Sequence, residues 1–355
     1  MSKFLISRYN DLEAYTPGEQ PKDMETFIKL NTNESPFPPS PGVVSALTNE
    51  EINKLRLYCD PDCTLLRKKM AKLFDVEPDN IFLSNGSDDI LNFIFMIFCA
   101  DEVKAAFPEI SYGFYKVYAQ LHNVDSYKVP LKADFSIDHK DYCGLDRTII
   151  IANPNAPTGI ALNLDQIEEI ITTNPNSLVV IDEAYVDFGA DSAVKLTKKY
   201  SNLLVVQTFS KSRSMAGARL GFAVGAKEII DDLNTIKYST NPYNINRLTQ
   251  AAACAAVDEN EYYMEKCRLI MENRAYTVAQ LKALGFTVIP SKANFIFVKS
   301  DRIDGEELYL KLKERKILIR HFTAEKIAQY NRVTIGTLEQ MQAFIKAVEE
   351  ILSEV

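Results

Sequence analysis

The sequence predicts an α/β protein with a three-layer large domain, built on a mostly parallel sheet, and a smaller α+β domain at the C-terminus. Between about residues 80 and 225, apolar runs of strand length alternate with helical segments, which is typical of a parallel sheet covered on both faces. Near residue 235 this alternation gives way to long helices mixed with short strands. The length of 355 residues also exceeds the size at which one hydrophobic core usually stops growing.

We therefore divide the chain into three parts. Residues 1–40 are rich in Pro, Asn and charged residues, so they cannot form a core alone and are expected to be an arm that contributes to the small domain. Residues 41–240 are expected to form the large domain. Residues 241–355 are expected to form the small domain together with a connecting helix.

The elements of the large domain follow from these patterns. The predicted strands cover residues 81–83, 103–107, 148–152, 178–181, 203–207 and 221–224. Two of the intervening helices are predicted at residues 87–99 and 164–173.

In the small domain a helical region is predicted first, over residues 244–284, with an interruption near 258–260. The predicted strands and helices that follow it cover residues 286–289, 295–298, 304–315, 332–335 and 338–352. Strands and helices in this mixture indicate an α+β arrangement.

Composition excludes several classes of function. A formal net charge of −8 argues against nucleic acid or an anionic membrane surface as a partner. The N-terminus lacks the apolar stretch of a secretory signal, and the most apolar run, residues 90–100, is too short to cross a bilayer. The 6 cysteines and 3 histidines are dispersed without a CxxC pair, which argues against a metal site and favours a reduced, cytoplasmic protein.

The most informative feature is Lys211, which follows the predicted strand 203–207 in a run of small and polar residues. A lysine amine becomes a useful nucleophile only where its surroundings hold it and lower its pKa. A second cation, Arg219, follows in the same run. This arrangement suits a Schiff base with an anionic aldehyde, although a solvated cluster of cations after a strand has the same pattern.

Other polar residues also follow predicted strands, and ligands of open parallel sheets bind at the carboxyl ends of their strands. The turn at residues 84–89 contains a glycine and opens a helix, so it is either an anion site or an ordinary helix cap. The turn at residues 152–159 contains two prolines and a glycine, and it can present the amide of Asn155 rigidly.

Asp182 ends an apolar strand and is followed by Tyr185. A carboxylate in that position needs a partner, and a protonated pyridine nitrogen is a suitable one. Arg320 and Arg332 adjoin apolar runs, which suits the capture of a carboxylate or a phosphate. We place this pair, like the other polar residues, at strand ends.

In this order the motifs resemble the fold-type-I pyridoxal-phosphate enzymes of the aspartate aminotransferase group, over about residues 15–337. Within that group the chain is most similar to the histidinol-phosphate aminotransferases. The segments that carry this resemblance are LNTNESP (30–36), NPNAPTG (153–159), IDEAY (181–185) and RVTIGT (332–337).

The resemblance implies a role for each candidate residue. Lys211 forms the Schiff base with pyridoxal 5′-phosphate and moves a proton between the substrate and the cofactor. Asp182 pairs with the ring nitrogen, and Asn155 and Tyr185 bond the phenolate oxygen, so the large domain is the cofactor-binding one. The residues that hold the phosphate are Ser87, Asp88, Thr208, Ser210 and Arg219.

The remaining implied roles concern the ring, the dimer and the substrates. Tyr112 stacks on the cofactor ring, and Tyr58 reaches the cofactor of the neighbouring subunit, which implies a homodimer with shared active sites. The residues that line the substrate pocket and read the anionic groups of two substrates in turn are Tyr15, Asn33, Arg320 and Arg332.

The activity implied is transamination between L-histidinol phosphate and 2-oxoglutarate, which gives imidazole-acetol phosphate and L-glutamate in histidine biosynthesis. Two alternatives share the cofactor: a threonine-phosphate decarboxylase and an aromatic amino-acid aminotransferase. A DNA-binding regulator would need an additional basic module, and a nucleotide-binding dehydrogenase would need a GxGxxG turn that the first strand lacks.

Overall fold

The computed structural model of the protein describes residues 3–99 and 103–354. Residue 100, at the end of the apolar run 90–100, and residues 1 and 2 of the expected arm lie outside this part.

The strands are β1 (Ile28–Lys29), β2 (Ile81–Ser84), β3 (Ala105–Pro108), β4 (Ser126–Val129), β5 (Thr148–Ala152), β6 (Val179–Asp182), β7 (Leu203–Thr208), β8 (Gly221–Gly225), β9 (Thr287–Ile289), β10 (Phe295–Lys299), β11 (Ile317–Leu318), β12 (Arg320–His321) and β13 (Asn331–Thr334). The α-helices are α1 (Pro41–Ala46), α2 (Asn49–Asn53), α3 (Thr64–Phe74), α4 (Ser87–Ile97), α5 (Phe114–Leu121), α6 (Leu164–Thr173), α7 (Lys227–Thr240), α8 (Arg247–Asp258), α9 (Asn260–Ala283), α10 (Gly305–Glu314) and α11 (Leu338–Ser353).

A large sheet has the strand order β2-β8-β7-β6-β5-β3-β4. Strands β7, β6, β5, β3 and β4 are parallel to one another, and β8 is antiparallel to both of its neighbours. The prediction of a mostly parallel sheet is therefore confirmed. Because β8 is reversed, its first residue, Gly221, lies beside the last residues of β2 and β7.

Apolar clusters cover both faces of this sheet and produce the three layers. Ile149 and Ile151 of β5 belong to the cluster that includes side chains of α3, α6 and α8. Ile150, between them, belongs to the cluster that includes side chains of α4, α5 and α7. Since every residue of β5 is buried, the four residues after Thr148 form a continuous apolar run without alternation.

The predicted strands of the large domain are present with ends moved by at most two residues. Strand β4 was not predicted, because it is a half-exposed edge strand whose sequence, SYKV, has no continuous apolar run. The helical region predicted from residue 244 is confirmed as α8 and α9, whereas the charged helix α7 before it was not predicted.

The C-terminal part contains an antiparallel sheet with the order β12-β13-β10-β9, packed on α9, α10 and α11. The described part of the arm joins it, because β1 pairs with β11 and Leu30 is buried in the same apolar cluster. The smaller α+β unit is thus confirmed, and the domain boundaries at residues 40 and 240 stay a prediction. In the described part of the chain, no helix combines the length and apolar character needed to cross a bilayer.

Candidate active site

A cavity of about 730 Å³, which includes its mouth to solvent, lies at the carboxyl ends of the parallel strands. The strand register explains why sequence-distant residues meet there: Ala152 lies opposite Asp182, and Thr208 lies opposite Gly221. The predicted site residues in the wall of this cavity are Ser87, Asp88, Tyr112, Asp182, Tyr185, Thr208, Ser210, Lys211 and Arg219.

One end of the cavity is built to hold an anion. Helix α4 begins there at Ser87 and has no side chain capping its first turn, so its backbone N–H groups are available to a ligand. Gly86, which precedes it, has a φ of +89° that favours glycine. A Cβ on Gly221 would lie 2.2 Å from the amide nitrogen of Ser87, so only glycine allows β8 to approach the helix this closely.

Arg219 and two hydroxyl groups complete this end. The Nη2 of Arg219 donates to Oδ2 of Asp88 over 3.0 Å, and the hydroxyl of Tyr112 donates to Oδ1 of Asp88 over 2.6 Å. The Oγ1 of Thr208 lies 3.0 Å from the Oγ of Ser210. Cationic, hydroxyl and amide donors therefore converge on one small volume, which is the donor set of a phosphate site.

Lys211 reaches into the cavity from the segment after β7. Its Nζ donates a hydrogen bond to the backbone oxygen of Thr32 over 3.2 Å and lies 5.8 Å from the centre of the Tyr185 ring. Burial, followed by the positive charge of Arg332, lowers the pKa of Lys211 from 10.5 to about 8. An amine with this pKa can exchange its proton near neutral pH, as a nucleophile or a proton carrier must.

Asp182 ends β6 and is only 4% exposed. Its Oδ2 accepts a hydrogen bond from the hydroxyl of Tyr115 over 2.7 Å, and its Oδ1 accepts one from the backbone N–H of Ala184 over 3.3 Å. Burial raises the pKa of Asp182 to about 6. Within the described residues no lysine, arginine or histidine forms an ion pair with it, so a cationic ligand group would be a strong partner.

Tyr185 and Asn33 connect the cavity to the small sheet. The Nδ2 of Asn33 donates to the Tyr185 hydroxyl over 3.0 Å, and the hydroxyl of Thr334 donates to Oδ1 of Asn33 over 2.9 Å. Asn33 has a φ of +57°, in the left-handed region that asparagine tolerates best among residues other than glycine. The predicted substrate residue Asn33 therefore positions Tyr185 through a direct hydrogen bond.

The two arginines lie opposite each other on β12 and β13. Their predicted position at strand ends is wrong for Arg332, which lies within β13 of the antiparallel sheet. The Nη2 of Arg332 donates to the backbone oxygen of Asn31 over 2.9 Å, while its buried Nε has no hydrogen-bond partner among the described residues. Among the described residues, Arg320 forms only long hydrogen bonds, of 3.3 and 3.4 Å, to the backbone oxygens of Thr16 and Pro17.

Neither arginine forms an ion pair with a carboxylate in the part of the chain that the structure describes. Tyr15 lies near both arginines, and its ring centre is 6.3 Å from that of Tyr112, which lines the cavity. Cationic donors without a carboxylate partner suit an anionic ligand.

Six predicted residues do not line the cavity: Tyr15, Asn33, Arg320 and Arg332, described above, and Asn155 and Tyr58. Asn155 is buried next to it, and its Nδ2 donates to the backbone oxygen of Ile110 over 2.9 Å and to the hydroxyl of Thr158 over 3.3 Å. Its predicted bond to a cofactor oxygen stays a prediction. Tyr58 is 79% exposed and stacks on Tyr243, with ring centres 4.4 Å apart, so this chain alone does not bring it into the site.

Several residues of the site were not predicted. Thr32 and Glu34 line the cavity, and their position on either side of Asn33 was the available signal. Tyr115 contacts Asp182, but nothing distinguishes it in sequence from the other 16 of the 17 tyrosines. The small wall residues that were also missed are Ala152, Ala156, Ala184 and Ala216.

This arrangement combines an anion site, an amine of lowered pKa and a buried carboxylate. Such a set can bind a phosphorylated aldehyde with a basic ring nitrogen, whose three functional groups match it. Among residues 3–99 and 103–354, no group of three or more His, Cys, Asp or Glu side chains is placed to hold a metal ion.

Comparison with known proteins identifies the family. The profile of the family "Aminotransferase class I and II" matches residues 25–348. The histidinol-phosphate aminotransferase of Brachyspira hyodysenteriae is 52% identical over 353 residues, which cover 99% of each chain.

Two solved structures have the same fold. The histidinol-phosphate aminotransferase of Clostridium acetobutylicum aligns with a TM-score of 0.85 and 26% identity over 92% of this chain and 99% of that one. The enzyme of Sinorhizobium meliloti, in complex with pyridoxal-5′-phosphate, aligns with a TM-score of 0.88 and 22% identity over 99% of this chain and 100% of that one. The protein is therefore an aminotransferase that belongs to the class I and II family, and over its full length it is similar to the histidinol-phosphate aminotransferases of that family.

Proposed function

We propose that this aminotransferase uses pyridoxal 5′-phosphate to transfer the amino group of L-histidinol phosphate to 2-oxoglutarate. The products are imidazole-acetol phosphate and L-glutamate, in histidine biosynthesis. One observation carries the proposal: a single cavity joins the amine of Lys211, the carboxylate of Asp182 and the anion site at the start of α4. The names of the full-length relatives supply the choice of substrate.

The residues in the cavity wall, together with Asn155 next to it, match the functional groups of the cofactor. The first turn of α4, Arg219, Thr208 and Ser210 would hold the phosphate, and Asp182 would face the ring nitrogen. Tyr112 would stack on the ring, while Tyr185 and Asn155 would bond its phenolate oxygen. When bound, pyridoxal phosphate withdraws electrons from the substrate's α-carbon and so makes an α-proton acidic enough to remove.

The protein's own groups would then manage charge and protons. Lys211 would accept the α-proton as a general base and return a proton as a general acid. Asp182, kept away from water, would hold a positive charge on the ring nitrogen, where the low dielectric makes the pairing strong. Arg332 and Arg320 would hold the anionic groups of both substrates, which explains why these two cations have no carboxylate partner among the described residues of an acidic protein.

The function is tested by assaying products with three candidate substrates. We expect glutamate formation from L-histidinol phosphate plus 2-oxoglutarate to have the highest kcat/KM. Release of CO₂ from threonine phosphate as the dominant reaction would replace the proposal with the decarboxylase alternative. A higher kcat/KM for phenylalanine or tyrosine as amino donor would replace it with the aromatic alternative.

The pKa of Lys211 predicts a pH dependence for cofactor capture. Only the uncharged amine attacks an aldehyde, so the rate at which cofactor-free protein takes up pyridoxal phosphate is expected to rise with pH and to be half-maximal near the pKa of about 8. Stopped-flow absorbance across a pH series measures this rate.

The variant Arg332→Leu tests whether the charge of Arg332 contributes to the lowered pKa of Lys211. Because the charge of Arg332 lowers the pKa of Lys211, its removal should move the midpoint to higher pH. The variant Lys313→Leu, which removes an exposed cation paired with Glu19, should leave the midpoint in place. A midpoint above pH 10 in the unaltered protein would contradict the conclusion that burial lowers the pKa of Lys211.

We further propose a homodimer in which Tyr58 completes the partner's site. Tyr58 is exposed, yet the loop that carries it is fixed: its backbone oxygen accepts from Arg247 over 2.9 Å, and the backbone oxygen of Pro61 accepts from Lys237 over 2.8 Å. Exposed apolar side chains surround this loop in the segments 44–65 and 238–243. A fixed loop amid exposed apolar surface supports an interface there.

Mixed dimers test whether Tyr58 acts across that interface. Neither Tyr58→Phe nor Lys211→Ala homodimers should have full activity, but a mixed dimer of the two chains contains one site with both native residues. We expect the mixed dimer to recover up to half of the native activity per dimer. Mixed dimers no more active than the Tyr58→Phe protein, measured on tandem-tag-purified heterodimers, would show that each site is built from one chain.

We also propose that the enzyme works in the cytoplasm. All six cysteines are described by the structure and none is in a disulfide, and Cys63, Cys99 and Cys267 are buried. Unpaired buried thiols suit a reducing compartment. Fractionation of the native cells, followed by immunoblotting, tests this placement.

A further inference from the structure

The proposed chemistry depends on the state of Asp182, and Tyr115 of α5 provides its shortest contact. The Tyr115 side chain is completely buried, and its hydroxyl donates to Oδ2 of Asp182 over 2.7 Å. The only other hydrogen bond to this carboxylate among the described residues is the 3.3 Å one from Ala184. A short bond from a neutral donor stabilises the charged form of a buried carboxylate.

The position of Tyr115 is fixed by packing on several sides. Its ring centre lies 5.7 Å from that of Tyr112, 5.8 Å from that of Phe107 and 6.5 Å from that of Phe95. Its backbone N–H also donates to the backbone oxygen of Tyr112 over 3.1 Å. The hydroxyl therefore occupies one place, and the carboxylate oxygen that it bonds is held with it.

The other titratable groups near Asp182 do not take over this task. Asp88, at the start of α4, is negatively charged and raises the pKa of Asp182 rather than lowering it. Tyr185 is bonded by Asn33 and Tyr118 donates to the backbone oxygen of Asp88, so both hydroxyls have other partners. Among the described side chains, only that of Tyr115 donates a hydrogen bond to the carboxylate of Asp182.

We propose that Tyr115 is a positioning residue for Asp182, whose hydroxyl keeps the carboxylate ionised and in one orientation at the end of β6. The partner of this carboxylate, the ring nitrogen of the cofactor, is part of the proposed function, on which this inference rests. The state of the carboxylate itself can be measured in cofactor-free protein, without substrate.

The test uses Tyr115→Phe, which removes the hydroxyl and retains the ring. Burial holds the pKa of folded Asp182 near 6, above its ordinary 3.8, so this group's contribution to stability is complete below about pH 4 and is lost as the pH rises to about 6. Without the bond from Tyr115, we expect that loss to extend about one pH unit higher, which corresponds to an about tenfold change in the proton affinity of Asp182.

The measurement is the unfolding midpoint of cofactor-free protein between pH 4 and pH 9. Each profile is compared with that of the same chain carrying Asp182→Asn, so that the difference isolates Asp182 from other groups such as the buried Glu183. If Tyr115→Phe lowers stability at every pH, this difference still reports the titration of Asp182.

Tyr142→Phe is the matched control, because its hydroxyl is also buried but has no hydrogen-bond partner among the described residues. This control should leave the titration of Asp182 unchanged. The affinity for pyridoxal phosphate is a second readout, expected to fall about tenfold in Tyr115→Phe and to stay unchanged in Tyr142→Phe.

A titration of Asp182 that is the same in Tyr115→Phe and in the native chain would overturn the proposal. So would equal shifts in Tyr115→Phe and Tyr142→Phe. Either result would leave the transaminase assay untouched, and a failed assay would likewise leave the titration untouched, so the two proposals fail separately.

Discussion

Lys211→Ala is expected to lower kcat by at least about 10⁴-fold, because one side chain supplies both the nucleophile for the cofactor and the group that moves the proton. The structure gives the reason that another lysine cannot substitute. The Nζ of Lys211 lies in the cavity wall, held by the backbone oxygen of Thr32. No other lysine among the described residues lines this cavity.

The measurement is single-turnover and steady-state kinetics on protein whose cofactor content has been determined. Lys227→Ala is the control, since Lys227 forms an exposed ion pair with Asp231 on α7 and should affect neither kcat nor cofactor colour. Borohydride reduction followed by peptide mapping gives a direct check, with label expected on Lys211. Label on a different lysine, or a loss smaller than tenfold, would remove Lys211 from its proposed role.

Asp182→Asn is expected to lower kcat by about 10²- to 10³-fold, since it removes a buried charge that is set to stabilise charge during the reaction. The substitution keeps the volume of the side chain, so the cavity should retain its shape. Cofactor affinity should also fall, because the neutral amide no longer attracts a cationic ring nitrogen.

The same substitution should make the cofactor-free protein more stable above pH 6. A pKa of about 6 for Asp182, against 3.8 for an unperturbed aspartate, corresponds to a cost of about 3 kcal/mol once the carboxylate is ionised. Lower activity combined with higher stability distinguishes a functional carboxylate from a structural one. A variant with lower stability and native kcat would place Asp182 among the structural groups.

The variant Glu183→Gln provides a comparison for Asp182→Asn, because it changes the neighbouring buried carboxylate. Glu183 is buried next to Asp182 in sequence, but Ser192, Ala193 and Gln207 all donate to its carboxylate, and it does not line the cavity. We expect this variant to change stability while kcat stays within a few-fold of native. A loss as large as that of Asp182→Asn would show that the kinetic effect is a general consequence of disturbing this strand end.

The large sheet could be predicted from sequence because its strands are buried on both faces. The runs at 149–152 and 203–206 are continuously apolar, and such runs have few alternatives to a central parallel strand. Strand β4 escaped prediction because its exposed residues lack that pattern. The helix α7 was missed for the related reason that its sequence is rich in charge and its buried face is narrow.

The candidate site was predicted where a residue's type and its place after a strand both pointed to chemistry. Lys211, Asp182 and Arg219 are of this kind, and the structure brings them into one cavity. The structure places Arg332 opposite Arg320, as their predicted pairing requires. The prediction that Arg332 lies at a strand end was wrong, because it lies within β13. Tyr115 was missed because its function depends on a carboxylate 67 residues away in sequence, and no local pattern records that contact.

The sequence by itself determined the layered α/β arrangement, the family and the residue types that carry the chemistry, since these depend on local apolar patterns and on short motifs. Only the tertiary structure decided which groups share the cavity and in what charge state. It set the pKa of Lys211 near 8 and that of Asp182 near 6, because both values depend on burial and on neighbours that distant segments supply. It also showed Tyr58 outside the cavity of its own chain and Tyr115 on the carboxylate, because contacts between distant segments exist only after the chain has folded.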